Sequence, residues 1–215
     1  MNIIKIDGIS ESYPEQVDGT MEWYFCKDSN NCFCDLYEAE EIIKSGKRFP
    51  GMVCHLIHYP EGTVYSPFVM RENIYIAQPI WDKGRFYFLG VNFPKQKIQI
   101  YSYFTYNQRL EIIKELPLEI VQDCYNLMLK VSPLMLCRES NNGICEIVWP
   151  ESKKIEIGPT ESLLFRDGDD LYFSEWYENP EYHENVIIRD LYTGKIKEKY
   201  SGYLRKLPNG VYWNI

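Results

Sequence analysis

The sequence is poor in alanine and lacks long apolar runs. Ala39 and Ala77 are its only alanines, and because alanine is the best helix former, a largely helical fold is disfavoured. No apolar run approaches the roughly 20 residues that a membrane-spanning helix needs, and none of signal-peptide length follows the N-terminus. We therefore expect no membrane partner.

Signatures of common catalytic chemistry are also missing. The chain has 3 histidines, His55, His58 and His183, and it has neither a G-x-S-x-G elbow nor a glycine-rich phosphate loop. A Ser-His-Asp arrangement would require residues that meet only in the folded chain, which the sequence does not reveal. We expect no cofactor, and catalysis is disfavoured relative to binding.

Positive charge is in deficit. The chain carries 23 basic and 31 acidic residues, a formal net charge of -8. Such a surface repels phosphate backbones and anionic headgroups. Nucleic acid is therefore excluded as an expected partner.

The 7 cysteines form no familiar motif. An odd number without an export signal predicts free thiols in the reducing cytoplasm. Cys26, Cys32 and Cys34 with His55 or His58 are a conceivable zinc set, but C-x-C is not the usual spacing, and the two histidines point to opposite faces of a strand. We predict no metal and expect the remaining cysteines to lie in the core: Cys54, Cys124, Cys137 and Cys145.

Aromatic residues, in contrast, are plentiful at 15% of the chain, and they favour strands. Several segments read as an apolar strand, a glycine-bearing turn and an aromatic strand, the pattern of a β-hairpin. We interpret each as the inner hairpin of a repeating unit. The segments are "VCHLIHYPEGTVYSPF" (53–68), "IYIAQPIWDKGRFYFLG" (74–90), "SLLFRDGDDLYFSEWY" (162–177) and "YLRKLPNGVYWNI" (203–215), with "VDGTMEWYFC" (17–26) as a degenerate fifth.

The spacing of these units predicts the fold. Aromatic strands centred near Tyr87, Leu136, Tyr172 and Tyr212 follow one another after 49, 36 and 40 residues, close to the repeat of a four-stranded propeller blade. We predict one all-β, β-propeller-like domain over residues 1–215, with four or five blades and a preference for five. The N- and C-terminal strands would together complete one blade. A β-sandwich is the alternative.

Two segments are ambiguous between strand and helix. Residues 106–130 place apolar residues near the helical period, but Pro117 interrupts them, which favours strand with a short helical turn over 117–123. Residues 35–47 can be either two short strands or a helix ending at Gly46.

One long loop is the candidate ligand site. "EWYENPEYHENV" (175–186) combines aromatic rings, carboxylates and amides, the groups that hold a sugar ring or a peptide. We predict a binding or interaction scaffold whose loops contact a glycan, peptide or protein. The alternative is a carbohydrate-active hydrolase with two carboxylates in a central funnel, for which Glu161, Asp123 and Glu175 are candidates. The predicted ligand-binding residues are Trp176, Tyr177, Glu178, Tyr182 and His183.

Overall fold

The computed structural model describes residues 3–9, 13–29, 34–207 and 211–215. Contacts between Cα atoms divide the chain into two compact units, Met1–Cys124 and Tyr125–Ile215. No helix in the described part of the chain is long and apolar enough to cross a membrane. The single domain over residues 1–215 stays a prediction.

The first unit contains two antiparallel sheets. Sheet A has the order β1-β2-β3-β4, and sheet B has the order β5-β7-β8-β9, with β6 also paired to β7. Their strands are β1 (Glu15–Gln16), β2 (Trp23–Asp28), β3 (Val53–His58), β4 (Thr63–Tyr65), β5 (Ile74–Ile76), β6 (Ile80–Asp82), β7 (Arg85–Asn92), β8 (Lys97–Phe104) and β9 (Arg109–Pro117).

The second unit contains two more sheets and a terminal hairpin. Sheet C has the order β10-β11-β12-β13, sheet D the order β14-β15-β16-β17, and β18 pairs with β19. Their strands are β10 (Leu127–Lys130), β11 (Met135–Ser140), β12 (Ile144–Trp149), β13 (Lys153–Glu156), β14 (Glu161–Asp167), β15 (Asp170–Tyr177), β16 (His183–Asp190), β17 (Ile196–Ser201), β18 (Leu204–Lys206) and β19 (Tyr212–Asn214).

Sheets A, C and D are meanders, in which strands adjacent along the chain lie side by side. In sheet B the strands β7, β8 and β9 follow the same pattern, and β5 and β6 both pair with β7. Four-stranded antiparallel meanders repeated along a chain are the blades of a β-propeller, so the predicted all-β, propeller-like class is confirmed. Within the described residues the full blades number four, and the preference for five was wrong. Residues 53–80 contain the outer strands of sheet A and the first strand of sheet B, and they form no blade of their own.

The expected joining of the terminal strands is not found in the described residues. There, β18 and β19 pair only with each other, and residues 3–9 contain no strand. The Ile4 and Ile6 side chains instead lie against Gly62 of their own unit. The turn of the last hairpin, residues 208–210, lies outside the described residues.

The glycine-bearing hairpins occupy different places in their sheets. Residues 162–177 form β14 and β15, the first two strands of sheet D, as predicted. Residues 53–68 form the third and fourth strands of sheet A, so their inner placement was wrong. In residues 74–90, the short strands β5 and β6 pair with opposite ends of β7, which explains the crowding of turn signals. Alternating apolar residues on either side of a glycine turn identify a hairpin, but they do not show which strands of a sheet that hairpin forms.

Residues 35–47 contain a helix, α1 (Leu36–Lys44), rather than two strands. Its capping box decides the matter, since Asp35 Oδ1 accepts from Glu38 N–H at 2.7 Å and Glu38 Oε2 accepts from Asp35 N–H at 2.9 Å. The buried Glu40 carboxylate accepts from the backbone N–H of Cys124 at 2.9 Å, which ties α1 to the end of the unit.

The strand preference over residues 106–130 is confirmed. β9 ends at Pro117, and the expected helical turn is a 3-10 helix, Leu118–Ile120. The proline lacks an N–H and fixes φ, so it separates the strand from the turn.

Each unit has its own apolar core. In the first unit, side chains of sheets A and B form one cluster around Phe86, Phe88 and Leu56, which are fully buried. In the second unit, sheets C and D form another around Met135 and Phe173. The buried Glu139 carboxylate on β11 accepts from the backbone N–H of Leu163 on β14 at 2.7 Å, a direct link between the sheets.

Candidate functional site

The predicted ligand loop is the end of the hairpin between β15 and β16. The ladder closes with the pairs Trp176↔Glu184 and Tyr177↔His183, and residues 178–182 form the connection. The prediction that this loop joins the second and third strands of its sheet is confirmed.

The hairpin divides the predicted residues between its two faces. Successive side chains on a strand point in opposite directions, so Trp176 and Tyr177 cannot contact the same small ligand from one face. Trp176 shares its face with its partner Glu184, and Tyr177 shares the other face with its partner His183. Glu178, another of the predicted residues, is exposed in the connecting loop.

The face of Trp176 is open and carries two aromatic rings beside a carboxylate. The Trp176 and Tyr182 side chains are 42% and 66% exposed. The Tyr182 hydroxyl donates to Glu184 Oε1 at 2.5 Å, and this hydrogen bond raises the pKa of Tyr182. Glu184 is therefore hydrogen-bonded to Tyr182 and lies opposite Trp176 across the strand pair.

The face of Tyr177 is a closed network. The Tyr177 and His183 rings stack with centroids 4.9 Å apart, and Lys199 Nζ lies 5.6 Å from the Tyr177 centroid. Lys199 Nζ also lies 2.5 Å from Glu175 Oε2, which accepts from Asn185 Nδ2 at 3.1 Å. Lys199, Glu175 and Asn185 on this face are thus paired with one another.

The charged groups of this network shift each other's pKa values. Burial raises the pKa of Glu175, but hydrogen bonds from Lys199, Tyr177 and Asn185 outweigh it, so the pKa is lowered overall. The same carboxylate raises the pKa of Lys199 through a hydrogen bond that outweighs partial desolvation. Glu175 is therefore stabilised as an anion, the opposite of what a general acid requires.

The candidate carboxylates of the hydrolase alternative form structural ion pairs. Glu161 and Glu175 are direct cross-strand partners on β14 and β15, but each has its own cation. Arg189 Nε and Nη2 donate to the two Glu161 oxygens at 2.9 and 2.8 Å, and Lys199 pairs with Glu175. Asp123 belongs to the other unit. Nothing in this arrangement supports glycoside hydrolysis.

The cysteines behave as core residues. Cys54, Cys124, Cys137 and Cys145 are buried free thiols, as predicted. Burial raises the pKa of Cys137 to about 12, so its thiolate is absent near neutral pH. Within the described residues, no group of three or more His, Cys, Asp and Glu side chains is arranged to hold a metal ion. Cys32 of the considered zinc set lies outside those residues.

The sequence interpretation missed two residues that organise the site. Glu184 was not distinguished from the other acidic residues of the loop, although it is the cross-strand partner of Trp176. Lys199 lies on β17 and reaches the network from the neighbouring strand, where Lys199 pairs with Ile187. Both assignments depend on strand register, which the hydrophobic pattern alone does not fix at a polar strand end.

No protein-family model and no curated protein matches the chain. Among solved structures, it is similar to one from a nidogen/laminin complex at 16% identity and a TM-score of 0.42, covering 87% of this chain and 63% of that one. It is also similar to TolB from Acinetobacter baumannii at 14% identity and 0.42, covering 69% and 38%. A third is Porphyromonas gingivalis dipeptidyl peptidase 4, at 11% and 0.45, covering 89% and 31%. The chain thus spans less than two thirds of each.

Proposed function

We propose that the chain is a binding scaffold that holds a neutral glycan on the Trp176 face of the β15–β16 hairpin. The observation that carries this is the grouping of two exposed rings, Trp176 and Tyr182, around one carboxylate, Glu184. Aromatic faces stack on the apolar C–H faces of a sugar, and a carboxylate accepts hydrogen bonds from its hydroxyls.

The charge around the hairpin supports a neutral ligand. Glu178 and Glu181 are exposed in the connecting loop, next to Glu184. Three carboxylates in so short a segment repel phosphate, sulfate and sialic acid groups. They favour uncharged ligands rich in hydroxyl groups, because each hydroxyl can donate a hydrogen bond to a carboxylate.

The placement of the rings also supports binding. Trp176 and Glu184 are fixed by the last pairs of a long ladder, and the backbone N–H of Trp176 donates to the Thr160 carbonyl at 3.3 Å. A ring held on a strand loses little freedom when a ligand stacks on it. The predicted cytoplasmic location is part of this proposal, since Cys54, Cys124, Cys137 and Cys145 are buried free thiols.

A glycan array containing neutral and acidic oligosaccharides, followed by calorimetry on the best ligand, tests the proposal. We expect neutral glycans to bind, and Trp176→Ala to weaken binding by about ten-fold or more, a loss of about 1.4 kcal/mol. Glu184→Gln should weaken it less, because an amide still accepts one hydrogen bond.

Tyr106→Ala is the matched control, because Tyr106 is 84% exposed in a different hairpin. It should leave the affinity unchanged. Equal binding by the wild type and Trp176→Ala, or equal loss in Tyr106→Ala, would contradict the proposed site. Binding of peptides but not glycans would contradict the proposed ligand class.

A further inference from the structure

Three neighbouring strands of sheet A bring a serine, a histidine and an aspartate together on one face. His55 on β3 is the cross-strand partner of Cys26, and Asp28 lies two residues further along β2, on the same side. Ser66 directly follows β4, where the pair Leu56↔Tyr65 places the next residue beside His55. The order along the sheet is thus aspartate, histidine, serine.

The distances between the side chains agree with these strand positions. Ser66 Oγ lies 2.8 Å from His55 Nδ1, and His55 Nε2 lies 3.6 Å from Asp28 Oδ2. His55 is only 9% exposed, and its Nε2 atom has no hydrogen-bond partner among the described residues. Ser66 is exposed, whereas Asp28 is half-buried. The hydroxyl is therefore accessible while its partner imidazole is not.

The electrostatics select one histidine tautomer. If Nδ1 carried the proton, the Nε2 lone pair would face the Asp28 carboxylate, and the two would repel each other. With the proton on Nε2, the imidazole N–H points towards the carboxylate and the Nδ1 lone pair accepts from the Ser66 hydroxyl. The proton placement is that of a serine activated by a general base and an orienting carboxylate, with the roles of Nδ1 and Nε2 exchanged relative to the usual Ser-His-Asp triad. A distance of 3.6 Å is long, as is common before a ligand binds.

We propose that Ser66 is an activated nucleophile that reacts with carboxylic esters and with phosphonyl electrophiles. In the ester reaction, Ser66 Oγ forms a bond to the carbonyl carbon while His55 Nδ1 takes the hydroxyl proton. The C–O bond to the leaving group then breaks, and His55 returns the proton to the departing alkoxide. Water then forms a bond to the acyl carbon while His55 Nδ1 takes one of its protons. The bond between Ser66 Oγ and the acyl carbon breaks, the carboxylic acid leaves, and the proton returns to Ser66 Oγ. This activity is independent of glycan binding on the other unit.

A fluorophosphonate probe tests the nucleophile directly. Ser66 Oγ forms a bond to phosphorus, fluoride leaves, and the serine proton is released, so intact mass and fluoride release report the same event. We expect one adduct on the full chain, mapped to Ser66 by peptide mass spectrometry and absent in Ser66→Ala. Ser45→Ala is the matched control, since Ser45 is an exposed serine that donates to the Ile42 carbonyl and contacts no histidine.

Variants of the two partners separate activation from simple exposure. His55→Gln should slow labelling about a hundred-fold or more, and Asp28→Asn about ten-fold or more. Because His55 is buried, circular dichroism must show that its variant is folded, and Asp28→Asn carries the test if it is not. Absence of a Ser66 adduct under conditions that fully label a serine esterase would overturn the proposal. So would equal labelling rates in folded wild type and Asp28→Asn, because His55 and Ser66 would then form only a structural hydrogen bond.

Discussion

The cores of the two units are built from different side chains. Among the described residues, five of the ten buried members of the first cluster are aromatic: Trp23, Phe25, Phe86, Phe88 and Tyr103. In the second cluster the aromatic share is one of ten, and the remaining members are Met135, Cys137, Cys145, Ile147, Ile155, Leu163, Leu171, Ile187 and Leu191.

The two units also differ in the polar side chains that they bury. Beside its ring-rich core the first unit buries mainly neutral side chains such as Asn92, Gln99 and Ser102. The second buries charges, including Glu161 with Arg189. Two units of the same sheet type therefore differ in what fills their interiors. The first has ring volume and edge-to-face contacts, and the second has aliphatic packing and buried ion pairs.

Removing a ring from the first core should have the largest effect. Phe88 is fully buried and meets Phe68 edge to face, with centroids 5.0 Å apart. We expect Phe88→Ala to lower the free energy of unfolding by about 4 kcal/mol. Phe88→Leu should also cost more than Phe173→Leu, because Leu suits an aliphatic core better. Urea unfolding measures all three, and equal costs for the two Leu variants would contradict the comparison.

Breaking the buried ion pair should have the next largest effect. Arg189→Ala leaves the Glu161 carboxylate buried without its two guanidinium donors, and we expect a loss of about 3 kcal/mol in urea unfolding. The double variant Glu161→Leu with Arg189→Leu should lose less than the single variant, because no charge is then left unpaired. A double variant that is less stable than Arg189→Ala would contradict the assignment of the loss in Arg189→Ala to an unpaired buried charge.

The smallest effect is a pH dependence confined to the second unit. Since Glu175 has a lowered pKa in the folded chain, its contribution to stability is complete above the pKa of about 4.3 of an unfolded glutamate. That contribution is lost as the pH falls through the lower, folded value. Urea unfolding between pH 7 and pH 3 should therefore show a shallower acid loss for Glu175→Gln than for the wild type. Glu72→Gln is the control, because Glu72 is exposed, and an equally shallow curve for this variant would contradict the assignment.

The fold class could be predicted because alternating aromatic residues and glycine turns are local signals. The number of blades could not, since β4, β5 and β6 have three residues each and leave almost no period. The helix α1 was recognisable in principle from the capping pattern that begins at Asp35. A strand interpretation of residues 35–47 overlooked that signal.

The candidate sites show the same limit. The aromatic hairpin at residues 175–186 was predicted, but the separation of Trp176 from Tyr177 became visible only with strand register. Ser66, His55 and Asp28 are separated along the chain and meet because three strands pair in one register. Side chains that converge through pairing leave no motif in a single sequence.

The link from Glu139 to Leu163 bears on how such a chain diversifies. The Glu139 carboxylate of sheet C accepts a hydrogen bond from a backbone N–H of sheet D. Every residue except proline supplies such an N–H. The hydrogen bond thus requires a carboxylate at the accepting position, Glu139, but places almost no requirement on the side chain at the donating position, Leu163. Sheets C and D can therefore change side chains at the amide position while the hydrogen bond between the two sheets is kept.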